Sequence, residues 1–163
     1  EAKRDYYAWL YGAANKKLGS HYGKGPQHGK FIRETLLKNA PGLAQLIELV
    51  QREQETGLIE TIDGGKVRCP SPHAALNYKL QSAGGIVMKQ ASIFIDERVQ
   101  EKGLDSLLVG SIHDEGQHDT AVGDAEEFGK LAVQAIRDAG EELGFSVPLD
   151  GSFAVGTDWS MTH

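Results

Sequence analysis

A chain of 163 residues with 40% hydrophobic and 25% charged side chains can bury a core as one ordinary domain or two small lobes, which excludes a compositionally disordered segment. A single cysteine, Cys69, excludes an internal disulfide framework and fits a reducing compartment, and no apolar run approaches the eighteen or so residues of a membrane span. The net charge of −6 argues against a dedicated basic nucleic-acid module, yet residues 1–40 carry eight Lys and Arg against three acidic residues, so that segment is +5 and the rest −11. A basic end on an acidic body suits one localised contact with a polyanion.

In chain order, residues 1–18 read as a helix that loosens at Gly12. Lys3, Tyr7 and Tyr11 stand four apart within it, so one face carries a cation and two phenols. The ordinary reading of that face is an amphipathic helix with its aromatics packed inward. A glycine-rich loop, GSHYGKGPQHG, leads to a helix over 27–39. NAPG (39–42) stops it, because proline cannot continue a helix and glycine tolerates the turn. From Leu43 the apolar residues Leu46, Ile47 and Val50 recur at helical spacing, and LIETIDGGKVRC then has the form of a hairpin around Asp-Gly-Gly.

Ser71 at an N-cap position and Pro72 at the first helical position open a long helix with an apolar stripe of Leu76, Leu80, Ala83, Val87 and Phe94. Gly84 and Gly85 sit inside it at a cost of roughly 0.5–1 kcal/mol each relative to Ala, which usually means that something approaches the backbone closely. After Gly103, SLLVGSI is a short apolar run typical of a buried strand, followed at once by His113-Asp114-Glu115, and GQHDTAV returns as a second strand. Asp124 caps a further helix with apolar residues Phe128, Leu131, Ala132, Ala135, Ile136, Ala139 and Leu143, and GSFAVGTDWSMTH offers one last short strand. Helices and antiparallel strands in this order predict an α+β fold rather than a doubly wound sheet.

Three groups could carry chemistry. Asp114 and Glu115 at a hairpin tip repel each other unless a cation offsets them, and hard divalent ions such as Mg2+ take carboxylates together with substrate phosphates. On the triplet alone a solvated turn is the simpler reading. His113 and His118 are five apart, which misses the spacing of a helical zinc site, and on a strand they point to opposite sides. GKGPQHGKF has the wrong spacing for a phosphate-binding loop and lacks the Ser or Thr after its lysine. Asn77 and Gln81, four apart on the long helix and off its apolar stripe, read on their own as an exposed polar face.

The order and spacing of four stretches nevertheless give the chain a close resemblance, over essentially all 163 residues, to the C-terminal part of family A DNA polymerases, especially the replicative enzymes of T-seven-like phages. KRDYYAWLYG resembles the fingers helix that grips the incoming nucleotide, SPHAALNYKLQSAG the long palm helix, SIHDEGQ the palm hairpin with the second catalytic Asp, and DWSMTH the closing Trp and His. Two departures stand out: Ala8 where the family usually has Gly, and Gly116 where an apolar residue is usual.

The resemblance implies a fingers portion over 1–70 and the C-terminal half of an antiparallel-sheet palm over 71–163 of a right-hand polymerase. It implies primer-template DNA and deoxynucleoside triphosphates as partners, Mg2+ as cofactor and a cytoplasmic location, in the host cell if the gene is a phage's. Lys3 would neutralise triphosphate charge and help protonate the pyrophosphate, Tyr7 would pack on the sugar and base, and Tyr11 would hold the templating position. Asp114 would hold two Mg2+ jointly with a first catalytic Asp that precedes residue 1 in the family, and Glu115 would support that site. Asn77, Gln81 and His113 fall on the positions that touch DNA; the last two resemble donors to minor-groove acceptors, which every correct base pair presents.

The chain is therefore expected to be a fragment or split subunit, inactive alone, whose missing N-terminal portion is a partner chain or domain. The alternative is a non-catalytic nucleic-acid-binding or assembly subunit on the same fold. An unrelated acidic α+β domain would leave the four motifs unexplained.

Overall fold

The computed structural model describes residues 2–162; Glu1 and the terminal His163, to which the first helix and the closing motif were expected to extend, lie outside the described residues. The chain divides into two compact units, residues 1–82 and 83–163. The division falls within one long helix.

The first unit runs α1 (Ala2–Leu10), α2 (Asn15–Ser20), α3 (Pro26–Asn39), α4 (Pro41–Gln54), the strands β1 (Leu58–Glu60) and β2 (Lys66–Arg68), a 3-10 turn (Pro72–Ala74) and the start of α5 (Ala75–Lys102). The single helix expected over 1–18 is two helices. Gly12 has φ +79°, and a β-carbon there would stand 2.8 Å from the His73 carbonyl oxygen, so both the backbone and the space demand glycine. NAPG ends one helix and starts the next. Ala40, displaced from the helical region (φ −133°, ψ 70°) by the proline after it, closes α3, and Pro41 takes the first position of α4.

The β1–β2 hairpin pairs Leu58 with Arg68, Ile59 with Val67 and Glu60 with Lys66, turning at Gly64 with φ +80°. It packs on α4 and the start of α5 through the buried Val50, Ile59, Cys69 and Ala75, flanked by Leu46, Val67 and Tyr78. Lys79 Nζ fastens the same elements, 3.2 Å from Glu53 Oε2 and 2.7 Å from the Glu60 carbonyl oxygen. Between α2 and α3 the backbones nearly touch. A β-carbon on Gly29 would overlap the Asn15 carbonyl oxygen, and one on Gly19 the carbonyl oxygen of Gly25. Arg33 closes this crossing, with Nε donating to Asn15 Oδ1 at 2.9 Å and Nη2 to the Ala13 carbonyl at 2.6 Å.

The second unit holds the rest of α5, the antiparallel strands β3 (Ser106–Ile112) and β4 (Glu115–Thr120), α6 (Ala125–Glu142) and a 3-10 turn (Trp159–Met161). Its core joins Ile95 and Val99 of α5 to Phe128, Leu131 and Ala135 of α6. The buried stripe here is Val87, Ala91, Ile95 and Val99, at steps of four, rather than the expected line through Leu80 and Phe94. Leu80 is 40% exposed, and Phe94 flanks the core with the Arg98 guanidinium 5.4 Å over its ring. Apart from the adjoining residues and the backbone of the helix itself, no atom of the described residues lies within 4 Å of a β-carbon built on Gly84 or Gly85, so packing within the described residues does not require those glycines.

Two strand expectations fail. SLLVGSI forms β3, but Leu107, Leu108 and Val109 are 69%, 45% and 63% exposed, because among the described residues its sheet has two strands and nothing covers that run. The tail forms no strand. It runs back along α6, with Leu149 against Gly140, Gly151 against Ile136 and Phe153 against Gly129, and glycine gives the close approach that a ladder would have given. Asp124 stands at the N-cap of α6, yet its carboxylate accepts from the Asp105 amide at 2.9 Å, tying the helix to the entrance of β3.

The α2–α3 crossing yields a stability test. Gly29→Ala is expected to destabilise the chain by about 2 kcal/mol or more, since the backbone it strikes has no soft side chain to yield. Gly42→Ala, in open space near the start of α4, is expected to be neutral or stabilising by about 0.5–1 kcal/mol. Thermal denaturation of the two variants side by side checks the sign of each.

Candidate functional site

On α1 the buried aromatic is Trp9, 3% exposed, while Tyr7 and Tyr11 are 47% and 51% exposed. The inward-packed reading of the Lys3, Tyr7, Tyr11 face is thus corrected: the helix anchors itself through Trp9 and turns that face outward. Lys3 Nζ lies 5.9 Å from the centroid of the Tyr7 ring, and Tyr7 and Tyr11 stack at 6.4 Å with 20° between their planes. Tyr11 stands one residue beyond α1, held by its amide on the Tyr7 carbonyl at 2.9 Å. The strip offers one cation and two aromatic faces, a match for a ligand with phosphates at one end and a ring at the other.

Gln81 is exposed on α5, and Asn77 one turn earlier is half-buried. Asn77 Oδ1 is buried with no hydrogen-bond donor among the described residues, an arrangement that costs about 1–3 kcal/mol.

The acidic site sits at the β3–β4 turn. Ile112 pairs with Glu115, leaving His113 and Asp114 as a two-residue connection. Such a turn follows the twist of its strands when φ is positive at its first position, a place glycine usually fills; here it is His113, with φ +54°. A non-glycine residue there stores on the order of 1–3 kcal/mol. Asp114 is exposed at the tip and makes no hydrogen bond or ion pair among the described residues.

Glu115 is tied instead: its Oε1 accepts from Gln117 Nε2 and, at 3.2 Å, from the Trp159 indole nitrogen, while Thr162 Oγ1 lies 3.4 Å from Gln117 Oε1. The ladder passes through Gly116, paired with Ser111, and the irregularity falls at Val109, between the Leu108–His118 and Gly110–Gln117 pairs. His118 is half-buried against Phe128 at 4.5 Å between ring centroids, and burial pushes its imidazole pKa below the ordinary value.

The structure thus brings Lys3, Tyr7 and Tyr11 together in the first unit, with Asn77 and Gln81 on a different helix of that unit, and His113, Asp114 and Glu115 together in the second. Sequence reasoning missed Gln117, Trp159 and Thr162 as supports of Glu115. The closing DWSMTH stretch was visible, but no spacing rule pairs residue 159 with residue 115. Among the described residues no group of three or more His, Cys, Asp or Glu side chains is placed to hold a metal ion. With Glu115 tied, Asp114 is the open carboxylate here, and it suits a hard cation that takes one or two protein carboxylates and completes its shell with substrate phosphates.

The model of DNA polymerase family A matches residues 1–161, and the chain belongs to that family. It is 35% identical over 187 residues to the DNA-directed DNA polymerase of Enterobacteria phage T3 and 34% over 184 residues to that of Escherichia phage T7, covering 99% of this chain and 26% of each relative. It is 32% identical over 169 residues to that of Escherichia phage Phieco32, covering 99% of this chain and 28% of the relative. The chain thus spans about a quarter of the length of the curated relatives it matches. Its fold is similar to part of the POL domain of Pol1 from M. smegmatis, solved with DNA primer-template and dNTP, at a TM-score of 0.75 and 21% identity, over 84% of this chain and 26% of that one. No helix among the described residues is long and apolar enough to cross a membrane.

The strain at His113 gives a prediction of sign. His113→Gly is expected to stabilise the hairpin by about 1 kcal/mol, although replacement by glycine elsewhere lowers stability by about 0.4–1 kcal/mol. Chemical denaturation followed by far-ultraviolet circular dichroism measures it, and a loss of stability means that the turn is not strained.

Proposed function

We propose that this chain is the fingers portion (1–70) and the C-terminal half of the palm (71–163) of a DNA-directed DNA polymerase, which adds a deoxynucleotide to a primer 3′ end as the template directs. The observation that carries this reading is the outward strip of Lys3, Tyr7 and Tyr11 on α1, in a chain whose residues 1–161 match the family. A host-cell cytoplasmic location follows from the same reading for a phage enzyme.

Lys3 binds the triphosphate by charge and hands a proton to the departing pyrophosphate, since an ammonium is both the countercharge and the acid that the leaving group needs. Tyr7, one turn on, packs against the sugar and base and offers its hydroxyl to the sugar. Tyr11 keeps the place of the next templating base by stacking. Gln81 and His113 donate to minor-groove acceptors at the primer end, which checks pair geometry while ignoring sequence, and Asn77 supports the same contact. Asp114, with a further carboxylate from outside these residues, would hold Mg2+, and Glu115 braces it from the hairpin. When bound, the ions neutralise phosphate charge and ready the primer hydroxyl for in-line attack.

Two experiments test this. In a primer-extension assay with Mg2+ the 163-residue chain alone is expected to incorporate no nucleotide, because one untied carboxylate at the hairpin tip is half of a two-carboxylate site. We read the exposed Leu107–Val109 run as the edge on which an upstream polymerase strand pairs, so adding that upstream part as a separate chain should restore incorporation and protect the amides of residues 106–112 from hydrogen exchange. Robust synthesis by the chain alone would overturn this. In the restored enzyme, Tyr7→Phe is expected to lower the relative use of dideoxynucleotides by about tenfold, the worth of one hydrogen bond that the phenol hydroxyl makes in place of the missing 3′-hydroxyl. Unchanged selectivity removes Tyr7 from the sugar pocket.

A further inference from the structure

A second aromatic row lies on α3 and the turn before it. Tyr22 meets the His28 ring edge-on at 5.3 Å between centroids, and His28 stacks on Phe31 at 6.1 Å with 25° between planes. Phe31 is 62% exposed and Tyr22 38%. A lone exposed aromatic needs no explanation, but three rings in contact, with the outer two exposed and His28 half-buried between them, form an aromatic row. The row is not what holds α3 in place. That helix packs on α2 through Gly29 and clamps the preceding turn through Arg33, whereas His28 and Phe31 lie on its other side, with Lys38 two turns beyond Phe31 on the same line.

The charge around the row is one-sided. Residues 15–39 contain six Lys and Arg and one carboxylate, Glu34, which is 3.7 Å from Lys30. Lys24, two residues from Tyr22, and Lys38 are exposed and make no ion pair among the described residues. The exposed Tyr22 and Phe31 rings, with unneutralised lysines beside them, are what a single-stranded polynucleotide requires: bases stack on the rings in any sequence, and the phosphates between them meet the cations. A duplex keeps its base faces inside its own stack and gains only the second term.

We infer that the Tyr22–His28–Phe31 row, with Lys24 and Lys38, is a binding site for unpaired DNA. Given the polymerase reading on which this rests, the occupant is the template strand not yet copied. The row holds that strand by stacking, distinct from the α1 strip that handles the nucleotide.

The test is fluorescence anisotropy of the chain with a labelled oligo-dT single strand and with a duplex of equal length, over a series of salt concentrations. Phe31→Ala is expected to weaken single-strand binding about 5- to 50-fold and duplex binding far less, and Phe31→Trp to keep it. Lys38→Gln should lower the salt slope for the single strand by about 0.7. Unaltered circular dichroism is expected for all three, since both side chains are exposed. The proposal is overturned if Phe31→Ala binds oligo-dT like the parent chain, or if Phe31→Trp loses as much as Phe31→Ala. It is overturned equally if Phe31→Ala abolishes a self-association of the chain and leaves oligo-dT binding unchanged, because the row then serves a second copy. Failure here with the expected Tyr7→Phe effect on dideoxynucleotides leaves the polymerase reading standing, while the reverse outcome leaves a single-strand site on a chain with another role.

Discussion

At Gly29 a β-carbon would collide with the Asn15 carbonyl oxygen, at Gly19 with that of Gly25, and at Gly12 it would stand 2.8 Å from that of His73. These close approaches set the architecture of the first unit, because helices that meet backbone to backbone need few side chains to hold them. α2 buries Leu18 and Gly19, and α3 buries Gly29, so most of the side chains on these short helices remain outside. The hydrophobic contribution of such a crossing is small, since little apolar area leaves water. Dispersion between close-packed backbones and the two Arg33 hydrogen bonds replace it. The consequence is functional: Tyr7, Tyr11, Tyr22 and Phe31 are not consumed as core, and remain available to flat ligands.

Charge is segregated along the chain for a related reason. Under the proposed function a nucleotide polyanion would be bound by cations and its accompanying ions by carboxylates, and mixing the two sets would let them neutralise each other as ordinary salt bridges. Ion pairs that fasten one element to another include Lys79 with Glu53 in the first unit, and Arg98 with Asp138 and Lys102 with Glu127 in the second. Lys3 and Asp114 take part in no ion pair among the described residues, and Lys3 stands over the Tyr7 ring with its charge unneutralised.

Local chemistry made much of this legible in the sequence. Pro26, Pro41 and the Asp-Gly-Gly turn set element boundaries through covalent geometry alone, so α3, α4 and the β1–β2 hairpin follow from a handful of residues. Legibility ended where a tertiary contact decided. Gly12 looked like a soft spot in a helix, but its positive φ and its place against His73 divide that helix in two. SLLVGSI has a buried strand's composition, and composition does not count how many neighbours a sheet supplies. The tail has the composition of a strand as well, yet Gly129 and Gly140 offer a groove on α6 that Phe153 and Leu149 fill. The outward turn of the α1 strip was equally hidden: steps of four fix which residues share a face, and only the burial of Trp9 shows which way that face looks.

The hairpin site illustrates how a distant segment can set local geometry. His113 holds a strained turn, and strain persists only where the surroundings over-determine it. The β3–β4 ladder supplies one constraint. The other comes from the end of the chain. Phe153, Gly151 and Leu149 lay the tail along α6, Asp158 Oδ1 accepts from the Ser160 amide at 2.9 Å to start the last turn, and that turn delivers the Trp159 indole to Glu115. With Gln117 on the same carboxylate oxygen, Glu115 is fixed from two sides while its neighbour Asp114 stays open. Two adjacent carboxylates that would repel each other if both were loose are thereby set apart, one tied to donors of the fold and one left open at the tip. The closing tryptophan therefore belongs to the acidic site as a positioning residue, acting through Glu115 across the whole length of α6.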